Sequence, residues 1–457
     1  MDHRDGVLGE ARTKKPYRLV PKTDNYSPEV AKLEDERLWG KVWQVHCREQ
    51  ELKKPGDFVV MNIVRDSIIV VKQNDGSLKA FYNVCQHRGR RLKEAAHGNT
   101  GASIRCPFHA WRWQIDGQIE YQCDAQDWDG YDNCKAKDVA LEEVRLDTWA
   151  GWVWVCMDPD AKPLKEFLAP LPEYLDAFEL ERASIAWHHT LFFPCNWKTV
   201  LEAFNEGYHV EGTHPQFMKY GRPVSSSLAF GDHGWFGYPS YGEAFDTEMA
   251  QRVDAETASD GVDYRQVLYD QQVELLETLK CLSSVYSVES TKRLFDVLPA
   301  SASFADAALK ALELHQQVVE EDGGVWPKNL NNDAIIKAGT DWHIFPNNIV
   351  LPDEDGAQWY RARPNADDPE SCIFEIWWLM RFPEGKEPPI EHQVHAKLED
   401  FKGKNFFLEQ DFSNMINVQQ GIHSRGFKGQ RTSPQQEVAV TNFHRALHRY
   451  LGLDDNF

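Results

Sequence analysis

At 457 residues the chain is too long for one small core and suits two domains, one of them large. A formal charge of −21 leaves no basic footprint for nucleic acid, and no apolar run approaches the roughly 18 residues of a membrane span. The odd count of nine cysteines does not suit a disulfide framework and points to metal ligation plus inert buried thiols. The polar start MDHRDGVLGEARTKK has no apolar stretch of a secretory signal, so the expected location is cytoplasmic.

In chain order, residues 1–39 read as an N-terminal segment and 40–160 as a small all-β domain. Phe58–Val64, Ser67–Lys72 and Leu78–Val84 are rich in Val, Ile and aromatics, with Asn74-Asp75-Gly76 as a turn between two of them. Gln114–Gln118 is a predicted hairpin tip and Gly151–Met157 a closing strand. The Pro-containing stretch Asp158–Pro172 serves as a linker into a larger α+β domain at 161–457, predicted to combine antiparallel β-sheet and helices. There Ala183–Phe193 reads as a strand and Trp197–Val210 as a helix capped by Asn196. Apolar spacing over about 264–320 is helical, as in Leu268, Leu275, Leu276, Leu279 and Leu282, and 245–335 reads as a helical, variable cap. Strands resume at His343–Leu351, Gln358–Arg363 and Cys372–Arg381. A long helix over 394–423 and a short one near 436–450 complete the chain.

Two loops carry the first candidate chemistry. Cys85-Gln86-His87 and Cys106-Pro107-Phe108-His109 each offer one thiolate and one imidazole. Two Cys and two His can hold a tetrahedral zinc. A Rieske [2Fe–2S] centre uses the same set differently, with two thiolates on one iron and two imidazoles on the other. Zinc fingers usually pair Cys with Cys and His with His; one of each per loop favours the cluster. Arg88, Arg90, Arg91 and Lys93 follow the first loop, either as a positive rim for an acidic partner or as braces for the loop.

The second lies in NWKTVLEAFNEGYHVEGTHP, residues 196–215. On a helix Glu202, Glu206 and His209 share one face, and His214 follows beyond a predicted helix end at Gly212. A His-x4-His pair alone does not define a metal site. Two histidines and one carboxylate would complete the facial set of non-haem Fe(II) oxygenases. Asp411 stands on an apolar stripe with Leu408, Met415 and Val418, where a carboxylate needs a metal or an ion-pair partner. Glu399 and Glu409 are expected to be solvated. Phe204, Phe217, Tyr220 and Trp235 are candidate pocket aromatics, with core packing the plain alternative.

FYNVCQHRGRRL and IRCPFHAWRW resemble the cluster-binding loops of Rieske ring-hydroxylating oxygenases. NWK…EGYHVEGTHP, WHIFPN and the Asp411 segment resemble the catalytic domain of their terminal-oxygenase alpha subunits. The resemblance implies a Rieske domain ahead of a helix-grip (START-like) catalytic domain. By it Cys85, His87, Cys106 and His109 hold the cluster, while His209, His214 and Asp411 hold mononuclear Fe(II). It also implies catalytic roles for Glu206 and Asp411, a homotrimer or α3β3 assembly, and electron transfer through Glu206 to His109 of the adjacent subunit. Aromatic-ring dioxygenases carry Asp where this chain has Glu206; Glu occurs in relatives that oxidise quaternary ammonium compounds. No Gly-rich dinucleotide fingerprint is found, so a ferredoxin and/or flavin reductase is the expected electron source. The expected reaction is O2-dependent hydroxylation of an aromatic or similarly apolar small molecule, with O- or N-dealkylation as the alternative. An electron-transfer protein and a zinc-stabilised binding module are the readings from other classes.

Overall fold

The unbroken run Ile68-Ile69-Val70-Val71 places apolar side chains on both faces of one strand, and two cores grow from it. The computed structural model describes residues 19–220, 225–238 and 261–457; the chain divides into two compact units, Lys32–Phe167 and the remainder. In the first, β1 (Gln44–Arg48), β2 (Asp57–Ile63), β3 (Asp66–Lys72), β4 (Leu78–Tyr82) and β5 (His97–Asn99) precede β6 (Ser103–Arg105), β7 (Arg112–Gln114) and β8 (Ile119–Tyr121). Two further strands, β9 (Glu143–Trp149) and β10 (Trp152–Cys156), complete a seven-stranded sheet ordered β1-β10-β9-β4-β3-β2-β5, beside a three-stranded sheet β6-β7-β8. Ile68 and Val70 pack with Met61, Val153 and Val155. Ile69 and Val71, on the opposite face, pack with Phe81, Cys85, Cys106, Trp111 and Trp113, so this second core anchors both cysteine loops. The predicted hairpin tip forms: the Gln114 N–H donates to Gln118 O at 2.8 Å and Gly117 takes φ +91°.

The second unit is organised by an eight-stranded sheet. Its strands are β11 (Ser184–Phe193), β12 (Ser226–Phe230), β13 (His233–Gly237), β14 (Asp341–Ile344), β15 (Asn348–Asp353), β16 (Gly356–Asn365), β17 (Asp368–Met380) and β18 (His392–His395), in the order β12-β13-β14-β15-β16-β17-β11-β18. All pairings are antiparallel except β11–β18. Its helices include α1 (Trp197–Glu202), α2 (Val210–Thr213), α3 (Tyr264–Val273), α4 (Val285–Val297), α5 (Phe304–Glu321), α6 (Asn332–Ala338), α7 (Phe406–Ile422) and α8 (Val438–Leu451). One sheet face receives α1, α7 and α8. Phe204, just past α1, lies 4.6 Å from the Tyr360 ring, Phe412 of α7 lies 4.9 Å from Phe193, and Phe443 of α8 lies 5.0 Å from His343. Leu268, Leu294, Ala307 and Leu314 form a separate core among α3, α4 and α5. Part of the 245–335 stretch, and residues 1–18, fall outside the described residues.

Three predicted elements change. The strand expected at His343–Leu351 is two strands, because Phe345-Pro346-Asn347 reverses the chain and the Asn347 side chain donates to Ala362 O. The helix expected over 394–423 begins only at Phe406. Gly403, at φ +80°, breaks the preceding chain, and Asn405 caps α7 by accepting from the Leu408 N–H at 3.0 Å. The Trp197–Val210 helix is capped by Asn196 as expected but stops at Glu202. Beyond it the Glu206 carboxylate takes the backbone N–H groups of Tyr208 and His209, which a continuous helix would have used.

Candidate metal centres

The two cysteine loops are built alike. Cys85 N donates to Arg90 O and Gly89 N to Cys85 O; Cys106 N donates to Trp111 O and Ala110 N to Cys106 O. Gly89 and Ala110 occupy the same place in their loops, and both take positive φ, +73° and +62°. Glycine is at ease there, whereas Ala110 holds a conformation that costs an L side chain about 1 kcal/mol. The repeated closure buries both thiols and leaves His87 and His109 half-exposed at the tips. The imidazole rings are 4.6 Å apart, and His87 stacks on Trp111 at 4.8 Å.

Burial pushes the Cys85 thiol up, and the neighbouring Cys106 adds to the shift. Burial, then His109 and Arg88, hold His87 below its ordinary value, which keeps a lone pair available. Among the described residues His87 Nδ1 is buried without a hydrogen bond, a position a metal would satisfy. Among the described residues these four do not supply three donors within 4.8 Å of one another, as a single tetrahedral ion requires. Paired thiols and paired imidazoles suit a two-iron cluster better. Of the basic run, Arg90 pairs with Glu94 and Lys93 lies over the Phe58 ring, both as braces, while Arg88 covers the exposed Phe108.

In the second unit the structure brings His209, His214 and Asp411 together, their ligand atoms within 4.8 Å of one another. His209 caps the start of α2, His214 ends it, and Asp411 comes from α7. Asp411 Oδ1 lies 3.2 Å from His214 Nε2 and 3.6 Å from His209 Nε2. Each imidazole is held from behind: His209 Nδ1 by Glu206 Oε1 at 2.9 Å, and His214 Nδ1 by Gln410 Oε1 at 3.0 Å. Both carbonyl-type acceptors select the Nδ1–H tautomer and free Nε2 to ligate. Among the described residues His214 Nε2 and Asp411 Oδ2 are buried without a hydrogen bond, so the trio has room in its bonding for an ion. Phe407 stacks on His214 at 4.1 Å and fixes its plane. Burial disfavours the charged form of His209, but Glu206 and then Asp411 outweigh it and raise its proton affinity.

Sequence reasoning missed Gln410, since it lies off the apolar stripe and only the fold turns it toward His214. The stripe itself needs correction. Val418 is 48% exposed, and Phe412, Gln419 and Ile422 are buried beside Leu408, Asp411 and Met415 instead. Glu206 and His209 do not share a helix face; the turn after α1 places them in contact. Glu202 belongs elsewhere, bonded to His444 at 2.7 Å. Among the predicted aromatics, Phe217 joins the Leu275–Leu279–Cys281 cluster with Phe407, Phe204 packs on Tyr360, and the Tyr220 side chain is outside the described residues. Trp235 lines a cavity of about 790 Å³ with Leu228, Phe230 and Leu268, and none of the three ligands reaches that cavity.

Residues 42–131 match the Rieske [2Fe-2S] domain family, and residues 175–276 and 284–453 match the ring hydroxylating alpha subunit family, catalytic domain. The carnitine monooxygenase oxygenase subunit of Escherichia coli (strain K12) is 34% identical over 186 residues, 40% of this chain and 49% of that protein. The large oxygenase component of a naphthalene 1,2-dioxygenase system from Pseudomonas aeruginosa is 31% identical over 206 residues, 44% of this chain and 45% of that one. The matched region thus spans about half the length of these relatives. The crystal structure of the quaternary ammonium Rieske monooxygenase CntA with L-carnitine has the same fold, with TM-score 0.62 and 18% identity over 94% of this chain and 95% of that one. No helix among the described residues is long and apolar enough to cross a membrane.

Proposed function

The chain belongs to the ring hydroxylating alpha subunit family, and from that premise we propose that it is the terminal oxygenase component of a multicomponent system that oxidises a small organic molecule with O2. The observation that carries this reading is the convergence of His209, His214 and Asp411, each imidazole braced by Glu206 or Gln410. Cys85, His87, Cys106 and His109 would hold the Rieske cluster, and His209, His214 and Asp411 the mononuclear iron. Bound there, the cluster stores an electron and the iron offers open positions for O2. The chain's own residues keep both imidazoles in the ligating tautomer, while Phe407 limits water around His214.

Electrons would come from a ferredoxin or flavin reductase. A homotrimer or α3β3 ring would let Glu206 meet His109 of the next subunit. The first substrate reading is hydroxylation of an aromatic or similarly apolar compound. Glu206, in place of the Asp of aromatic-ring dioxygenases, favours a second: oxidative dealkylation, including N-dealkylation of a quaternary amine. Turnover under ¹⁸O₂ with a compatible reductase and ferredoxin, read by mass spectrometry, tests both. A cis-diol holding both labelled oxygens supports dihydroxylation; an aldehyde plus a dealkylated amine supports the second. No oxygen-dependent product from iron-loaded protein with a reducible cluster would remove the oxygenase reading.

A further inference from the structure

The two cluster loops reach solvent by different aromatic routes. His109 touches Phe108, with ring centres 3.8 Å apart, and Phe108 is 57% exposed. Arg88 lies over the Phe108 ring, so this side carries positive charge. His87 instead meets the edge of Trp128 at 5.6 Å, and Trp128 in turn meets Tyr131 at 6.2 Å. Tyr131 is 66% exposed.

A type II turn builds the second route. Asp129 takes φ −59° and ψ 125°, Gly130 takes φ +89°, and the Tyr131 N–H donates to Trp128 O at 3.1 Å. The third position of such a turn needs a positive φ, which Gly130 adopts without strain. The turn sets the Trp128 and Tyr131 rings side by side. Trp128 is half-buried against the core that holds both thiols, and it meets Trp111, on which His87 stacks, at 5.5 Å. Core packing accounts for Trp128, whereas the exposed Tyr131 ring offers contact area to a partner. Around it Asp124, Asp127, Asp129 and Asp132 are all exposed, and residues 124–134 hold no Lys or Arg.

An electron carrier has to be charged and discharged, and two routes of opposite charge separate those tasks. In the assembly proposed above, His109 faces Glu206 of the next subunit, which suits the positive Arg88 side. The His87 side is then left for the incoming electron. We infer that Tyr131 and Trp128 form the entry point at which an electron-donor protein with a basic contact patch docks and passes its electron toward His87. One electron leaves the donor's reduced flavin or iron–sulfur centre and converts one Fe(III) of the cluster to Fe(II), with no bond made or broken. The aromatic pair supplies the contact and the aspartates steer the approach. The inference rests on the proposed cluster at Cys85, His87, Cys106 and His109.

The test is stopped-flow electron exchange with the cluster-loaded full chain, read at the cluster's visible absorbance. The probe is ferricytochrome c, a basic one-electron protein, which oxidises the pre-reduced cluster through the same contact run in reverse; ferricyanide is the small anionic control. The wild-type rate with cytochrome c should fall about tenfold or more between low and about 0.5 M salt. Tyr131→Ala, Trp128→Leu and the triple change Asp127→Asn/Asp129→Asn/Asp132→Asn should each slow it about fivefold or more at low salt, with the reduction midpoint unchanged. Phe108→Ala, and the same loss of charge at the exposed Asp75, Glu142 and Glu143, should stay within about twofold of wild type, as should ferricyanide with every variant. Wild-type rates for Tyr131→Ala overturn the proposal, and so does an equal loss in Phe108→Ala. Should Trp128→Leu lose its cluster or shift its midpoint, Tyr131→Ala and the triple change decide alone. A chain that takes up no cluster removes the cluster reading and this inference with it. Electron exchange as expected without any oxygen-dependent product removes the oxygenase reading alone.

Discussion

Glu206 Oε1 and His209 Nδ1 lie 2.9 Å apart, and the other oxygen of the same carboxylate caps the backbone N–H groups of Tyr208 and His209. One side chain thus ends the helical path of the chain and aims the imidazole that follows it. Glu206→Gln keeps an acceptor for Nδ1 but loses one carboxylate oxygen and the charge. The mononuclear iron and the cluster should both stay near wild-type content while turnover falls by roughly 10-fold or more. Metal analysis beside steady-state rates checks this, and wild-type rates would remove the coupling role.

Asp411 is 2% exposed between two imidazoles. Asp411→Ala should lose the mononuclear iron and all turnover, yet keep the cluster's visible absorbance and its EPR signal on reduction. Unchanged iron content would show that the ligand is another group.

Gln410 fixes the far nitrogen of His214. Gln410→Leu should weaken iron affinity by roughly 10–100-fold without touching the cluster, because it removes the tautomer-selecting acceptor together with the Gln216 amide contact that holds it. Titration of the apo-protein with Fe(II) measures it directly.

Ala110 and Gly89 occupy equivalent loop positions with positive φ. Ala110→Gly should raise stability by up to about 1 kcal/mol, whereas Gly89→Val should lower it by at least as much. Thermal unfolding of the cluster-loaded protein separates the two, and an unchanged midpoint for Gly89→Val would contradict the loop equivalence.

His444 is fully buried between Asp24 at 2.8 Å and Glu202 at 2.7 Å. Burial pulls its proton affinity down, but these two carboxylates push its pKa up to about 9 from an ordinary 6.5. A pKa raised in the folded state stabilises below the unfolded value, so this contribution is complete below about pH 6.5 and fades as pH climbs through 9. Urea unfolding should show stability falling between those limits. His444→Leu should flatten that slope and cost about 3 kcal/mol, since it removes the imidazole shared by Asp24 and Glu202 and leaves Asp24 with His448 alone.

What the sequence determined by itself was the inventory of chemistry. Cys85-x-His87 and Cys106-x-x-His109 carry their ligands within a few residues, so local spacing exposes them. Asn196 capping α1 and the apolar run within Ser67–Lys72 are equally local. The second centre was legible only in pieces. His209 and His214 are neighbours in the chain, yet Asp411 arrives from a distant helix, and its buried stripe was read with Val418 in place of Phe412 and Gln419. The tertiary structure alone decided that Glu206 faces His209 across a turn and that Gln410 holds His214. The physical reason is that a ligand's identity is a property of one residue. Its usefulness depends on desolvation and direction, which are set by strands and helices that meet only after folding.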